Sequence, residues 1–301
     1  MMKSAAVAII TCVLTFMAQL HAQQVEISTD YLSRTAFTDH DDNRYGKGEM
    51  NWYKLKYIQP LSVKVNDNGE PIIWTASLNS KYARLRNYGE AALENPDEVI
   101  NAGVNITHIR PLSKKWSLIA TIGAGIYSNP AEINLNSILA NGGCLFIYRF
   151  NRNFSLGAGI GLTNSYGIPM VAPMMYIRWQ TAGRFQFDLN ISSGLRLAAS
   201  TRFGKHVKLT WDMLNMDGMS SVITDDGCTR LYSSMMISSF ITPEVYISSR
   251  VSLFVDGGVT IARACQTTKR KIKYMFEEQK EEDQRSFNPA WHVGGGIRYG
   301  F

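Results

Sequence analysis

Trp291-His292-Val293-Gly294-Gly295-Gly296-Ile297-Arg298-Tyr299-Gly300-Phe301 is the stretch that decides the fold. Trp291, Val293, Gly295, Ile297, Tyr299 and Phe301 share one parity, and His292, Gly294, Gly296, Arg298 and Gly300 share the other. A repeat of two is the period of a β-strand, because successive side chains point to opposite faces. One face is apolar and aromatic; the other carries charge and glycine.

The same alternation recurs upstream. Phe154, Leu156, Ala158, Ile160 and Leu162 alternate with Ser155, three glycines and Thr163; Phe185, Phe187, Leu189 and Ile191 alternate with Arg184, Gln186, Asp188 and Asn190. Val207, Leu209, Trp211 and Met213 alternate with Lys208, Thr210 and Asp212, and Val251, Leu253 and Val255 alternate with Ser252, Phe254 and Asp256. A soluble sandwich alternates too, but its strands run to about five or six residues, and these segments are longer. Aromatic residues gather near segment ends, as at Trp116, Phe150, Phe154, Trp179, Phe185, Trp291 and Phe301, where interfacial girdles belong. Tight connections at 110–114, 151–153, 180–183, 204–205 and 248–250 alternate with longer stretches around 36–48, 83–97, 128–137, 215–229 and 265–287. The reading is an all-β, transmembrane, antiparallel up-and-down β-barrel of about 14 strands, an even number with both ends on one side. Strands are expected near 24–35, 49–60, 71–82, 98–109, 115–127, 138–150, 153–164, 169–180, 184–191, 194–203, 206–214, 230–247, 250–263 and 288–301. Merging the short segments between 184 and 214 would give about 12.

The N-terminus places a basic Lys3 before the apolar run Ala5–Met17 and the small residue Ala22 after it. That is the order of a secretory signal peptide, expected over 1–22, with the barrel over 23–301. The run is too short for a spanning helix, which needs roughly 20 residues. Cys12 lacks the small residues that precede a lipidated cysteine. A mean hydropathy of −0.12 excludes a helical membrane protein, while 24 glycines, 14 tyrosines, 13 phenylalanines and 6 tryptophans suit strands with one lipid face. The net charge of +6 is compatible with anionic lipid head groups, and nucleic acid is not expected as a partner of an exported protein.

Residues 292–301 resemble the C-terminal signal of outer-membrane barrels, an alternating strand ending in phenylalanine. That resemblance implies recognition by the barrel assembly machinery through Trp291, Val293, Ile297, Tyr299 and Phe301. The segments 57–61, 110–118, 155–161 and 166–169 resemble a family of outer-membrane barrels from the Bacteroidota described only as a domain of unknown function. The likeness implies the fold and the bacterial outer membrane, with no catalytic residue to carry over.

The titratable residues offer few groupings that could carry chemistry. Asp39-His40-Asp41-Asp42 lies in the first long connection, but adjacent Asp39 and His40 would face opposite ways on a strand, unlike the Asp-x-His arrangement of omptin-like barrel proteases. His108 and His206 fall beside turns, and His292 on the inward parity; none pairs with a serine that the sequence can place. No catalytic residue, cofactor or metal-ligand set is expected, and three hard-cation ligands in Asp39, Asp41 and Asp42 lack a complete calcium-loop spacing. The inward parity collects Lys54, Lys56, Arg178, Arg184, Asp188, Arg196, Arg202, Lys208, Asp212, Glu244, Asp256 and Arg298. Charges at bilayer depth must face water or one another, so these are expected to line the lumen, either cross-linked or beside a narrow wet path. Passage of a small solute is the leading function, with a surface protein that binds through its loops as the alternative. Beyond Cys12, an odd three cysteines remain. Cys144 falls on the lipid-facing parity, and Cys228 and Cys265 at the far end of one hairpin are a candidate disulfide.

Overall fold

Alternation makes each segment extended, and the order of the ladder makes the sheet a barrel. The computed structural model describes residues 23–163, 170–181, 184–191, 195–225, 228–269 and 285–300. Residues 1–22, Phe301 and the charge block at 270–284 therefore lie outside the described residues. Among the described residues fifteen strand segments pair in one sheet whose wall is antiparallel throughout: β1 (Gln24–Thr38), β2 (Arg44–Val65), β3 (Pro71–Gly89), β4 (Glu98–Pro111), β5 (Trp116–Ser128), β6 (Ile138–Arg149), β7 (Phe154–Thr163), β8 (Met170–Gln180), β9 (Phe185–Ile191), β10 (Leu195–Phe203), β11 (Val207–Asp225), β12 (Cys228–Tyr246), β13 (Val251–Lys269), β14 (Ser286–Phe287) and β15 (Ala290–Tyr299). The two segments β14 and β15 both lie between β13 and β1, so they form one stave and the barrel has 14. β15 closes the ring, with Asp30 of β1 and Asp256 of β13 both opposite Gly294.

Short turns at the end that holds Gln24 and Tyr299 are fixed by side chains that replace missing ladder bonds. Asn66 Oδ1 accepts from the amides of Asn68 (3.0 Å) and Glu70 (2.8 Å), with Gly69 supplying the positive φ of 77°. Asn151 Oδ1 accepts from Phe154 N at 2.8 Å and Ser248 Oγ from Val251 N at 3.1 Å.

Most of the expected long loops are strand instead. β1 runs on to Thr38, β3 to Gly89, β11 to Asp225 and β13 to Lys269, and β2 alone reaches 22 residues. Of the expected loops, 128–137 is irregular, with 3-10 turns at Pro130–Glu132 and Leu135–Ser137, while a single helical turn, Ala91–Glu94, sits between β3 and β4. The wall is consequently uneven: β9 has 7 residues, β11 and β12 have 19 each. β9, β10 and β11 stay separate, which excludes the count of twelve.

Polarity explains the tall side. Over the lower part of each strand the apolar face points outward, as Ile27, Val255, Val293, Ile122 and Ile160 show by their exposure. That band ends in exposed Tyr31 and Tyr53, the latter stacked on Tyr82 with ring centroids 5.9 Å apart, and in Trp291. At the other rim Trp116, Tyr148, Phe150 and Phe154 pack ring against ring. Such girdles bound the hydrocarbon band of a transmembrane barrel. Beyond the tyrosines the pattern inverts. Leu32, Met50, Trp52, Ala83, Leu85, Val99, Met219, Tyr232 and Met236 form a buried apolar cluster, while the outer face there carries Arg34 and Arg86, ion-paired to Glu49 at 3.1 and 3.5 Å. Register shifts between Leu32 and Thr35 on β1, between Asp212 and Asn215 on β11, and opposite Thr260 on β13 mark the change of environment. A bulge adds one residue and re-aims the side chains that follow.

Facing predicts an asymmetric cost of charge. Ile122→Arg should lower folded stability by about 2–4 kcal/mol, as lipid-facing arginine does near the midplane, whereas Ser200→Arg, on the inward parity of β10, should be tolerated. Folding yield and guanidinium titration in lipid vesicles, read by heat-modifiable gel migration, check this; equal losses would invert the facing assignment.

Candidate functional lumen

The lumen is built in two storeys. In the lower storey the ladder aligns charged residues across neighbouring strands. Glu26, Lys56 and Arg298 are partners in register, as are Lys208 with Arg202 and Glu244, whereas Asp188 stands opposite uncharged Ala198 and Gln180. Arg298 Nε donates to Glu26 at 2.9 Å, its Nη1 lies 3.3 Å from Glu244, and its guanidinium stacks over Phe254. Ser252 Oγ donates to the same Glu244 carboxylate at 2.6 Å. Arg196 Nε is 2.5 Å from buried Asp212. Lys54 Nζ is 3.0 Å from Asp30 and 3.7 Å from Asp217, and Lys81 pairs with Asp217 from the other side.

Of the twelve charges placed on the inward parity, Lys54, Arg196, Asp212, Glu244 and Arg298 are thus brought into ion pairs, and Asp256 is buried beside Asp30 and His292. Lys56, Arg178, Arg184 and Arg202 are exposed and Asp188 and Lys208 half-buried, toward the short turns. Arg178 donates to Gln180 at 3.1 Å and Arg202 lies over the ring of Tyr246. Sequence reading missed Glu26, Asp30, Lys81 and Asp217. Glu26 and Asp30 share the inward parity of strand one with Ser28, and Asp217 fell in a presumed loop. The bulge after Asp212 turns odd-numbered residues inward, a shift that alternation read from 206–214 does not contain.

The upper storey is closed on the tall side. The β11–β12 hairpin leans across the mouth: Asn101 on β4 donates to Ser220 O at 2.5 Å and accepts from Ser220 N at 3.0 Å, and Val222 pairs in parallel with Ser128 of β5. Leu139, Val222 and Leu231 pack there with Tyr127. Tyr232 Oη donates to Asn95 beside the helical turn at 3.2 Å.

Other candidates resolve as follows. Asp39 is an Asx turn rather than half of a catalytic pair: Asn43 Nδ2 and Tyr45 Oη donate to Oδ2 at 3.0 and 2.9 Å, and Oδ1 accepts two backbone amides. The Asn43 hydrogen bond foremost lowers its pKa to about 2. His40 is exposed, and His108 stacks on Trp74 with centroids 4.1 Å apart. The Cys228–Cys265 disulfide is overturned. Cys265 is a free thiol and pairs in register with Ser234, six residues along β12 from Cys228. At about 3.3 Å per residue that is roughly 20 Å of strand, against the roughly 7 Å that a bridge allows. The side chain of Cys228 lies outside the described residues. Cys144 is free, with its register on the lipid side. A hollow of about 570 Å³ bordered by Ile27, Tyr53, Tyr82 and Ile297 opens on that same outer face.

A closed ring with an apolar outer band, two aromatic rims and an ion-paired interior defines a β-barrel membrane protein of the outer-membrane type. The chain belongs to the family described as "Domain of unknown function (DUF6268)", which matches residues 15–300. No curated protein matches it. Among solved structures it is similar to an outer-membrane channel of Pseudomonas putida F1 (10% identity, 92% of this chain and 95% of that one, TM-score 0.45). It is also similar to a bacterial polysaccharide outer-membrane secretin (10% identity, 93% and 98%, TM-score 0.42) and to the Pseudomonas putida toluene transporter TodX (10% identity, 93% and 90%, TM-score 0.31). Likeness at this distance transfers no residue role.

The seating of the β11–β12 hairpin is directly testable. With the native cysteines replaced by serine, Ser128→Cys and Val222→Cys should cross-link on mild oxidation, since neighbouring strands lie about 4.8 Å apart. A faster-migrating unreduced band reports the bond. Two freely labelled thiols in folded protein would show that the hairpin does not rest on β5.

Proposed function

We propose that this is an outer-membrane protein of a Gram-negative bacterium that passes small anionic solutes through its lumen. One observation carries the reading: the inward parity of β8 to β11 and the turn before β9 carries Arg178, Arg184, Arg196, Arg202 and Lys208 against Asp188 and Asp212. Arg178, Arg184 and Arg202 remain exposed. Guanidinium groups left in water along a wall focus a positive potential and raise the local concentration of anions. Rings of such residues select anions and phosphate in pores. The polar lumen, with no catalytic pair expected in it, favours transport over chemistry.

Export by a cleaved leader at 1–22 and assembly through Trp291, Val293, Ile297, Tyr299 and Phe301 belong to the same proposal, as does an origin in the Bacteroidota. The exposure of Trp291, Val293 and Ile297 on the outer face of the closing strand supports it. Phe301→Asp should block assembly while leaving export intact; normal heat-modifiable migration of that variant in membranes would refute the assembly role.

In planar bilayers under a KCl gradient, the barrel should conduct with a reversal potential of anionic sign. Arg178→Ala with Arg202→Ala should move that potential toward zero without loss of folding. A cation-selective pore would refute the anionic reading. Absence of conductance, even with the hairpin freed by Asn101→Ala, would refute transport and leave the surface-binding alternative.

A further inference from the structure

Gly294 stands between two acids. Asp30 on β1 and Asp256 on β13 are both its register partners, and a Cβ there would press on Asp30 Oδ1 and on both Asp256 oxygens. The missing side chain lets two carboxylates converge over one backbone position. His292, two residues earlier on the same strand and so on the same face, completes the group: its Nε2 is 3.1 Å from Asp30 Oδ1. One ligand atom from each of the three lies within 4.8 Å of the others.

All three are more than nine-tenths buried, at 5%, 5% and 7% exposure for Asp30, Asp256 and His292. Yet Asp256 Oδ1 and His292 Nδ1 have no hydrogen-bond partner among the described residues. A buried, unpaired polar atom costs about 1–3 kcal/mol, and more when charged. Charge points the same way. Lys54 and Lys81 pair with Asp30 and Asp217, and Arg298 with Glu26 and Glu244, so among the described residues the buried Asp256 carboxylate has no ion-pair partner of its own.

We propose that Asp30, Asp256 and His292 form a binding site for a divalent first-row metal cation, cradled over Gly294. Two carboxylates and one imidazole are a three-ligand set for such an ion, with a further position left to water. Lys54, on the second oxygen of Asp30, then orients that ligand. The site stands whether or not the lumen conducts.

Zinc alone is the probe. The folded full-length barrel, stripped with EDTA and dialysed against zinc, should retain about one ion per chain. Asp256→Asn and Gly294→Ala should retain none, the latter because its methyl fills the cradle, while Asp39→Asn in the exposed acidic turn should retain the full amount. Zinc should also raise the unfolding temperature of the native protein and not of Gly294→Ala, because a ligand stabilises only what it binds. Retention by neither native protein nor variants would overturn the site. Equal retention by native protein and Gly294→Ala would overturn it in favour of binding elsewhere. If Asp256→Asn does not reach the folded, heat-modifiable form, X-ray absorption on the native complex decides: one imidazole among oxygen ligands supports the site, and oxygen alone refutes it.

Discussion

The ring has to close because lipid offers no hydrogen bonds. Every backbone amide and carbonyl within the hydrocarbon must be paired inside the protein, which leaves only helices and edgeless sheets. Here that constraint falls on β15, paired on one side to β1 from Val25 to Leu32 and on the other to β13 from Val251 to Thr260. Both neighbours are long strands carrying inward acids. A closing strand with large side chains at 294 and 296 would hold them apart. Glycine at both positions leaves room for the carboxylates of Asp30 and Asp256 and for the ring of Phe254, which lies against Gly296. Closure and the chemistry of the lumen are thus set by the same few residues.

The second constraint is where lipid stops. Below the tyrosine rim the solvent outside is hydrocarbon, so apolar side chains face out and charge faces in. Above it the solvent is water on the outside, and burial of apolar area, at roughly 25 cal/mol per Å², favours the opposite arrangement. The tall hairpins obey both rules in succession. Bulges on β1, β11 and β13 are where the parity of each strand is reset between the two regimes. The result is a barrel that is polar inside near its short turns and packed like a soluble sandwich near its far mouth, with Met219, Tyr232 and Met236 seated against Trp52, Leu85 and Val99.

This also explains what the sequence could and could not reveal. Alternation within the lipid band is strong, because outward residues there must be apolar, and it exposes the strands and the count of fourteen. Beyond the band that pressure vanishes. Stretches such as 83–89 and 215–225 then read as polar connections, although Ala83, Leu85 and Met219 are core. The bulges hide the rest: one added residue after Asp212 is enough to put Asp217 on the inner face. The pairing of Asp30 with Asp256 is invisible for another reason. Their separation in sequence is 226 positions, and only the register around Gly294 makes them neighbours.

Charge is sorted around the ring rather than spread evenly. Buried inward acids lie on the tall strands β11, β12, β13 and β1, at Asp212, Glu244, Asp256 and Asp30, whereas exposed Arg178, Arg184 and Arg202 stand on or beside β8 to β10. Tall strands explain the first half, since the apolar storey above shields that part of the lumen and removes water from the carboxylates. Buried carboxylates need compensation, because breaking a buried pair costs about 3–5 kcal/mol; Lys54 and Lys81 supply two of the charges. Position explains the second half. Arg178 and Arg202, like Lys56 on β2, lie beside the short turns, so water reaches them and no acid partner is required. Wall height and the depth of each residue therefore divide the charges of one lumen between buried acids held under the tall strands and exposed arginines beside the short turns.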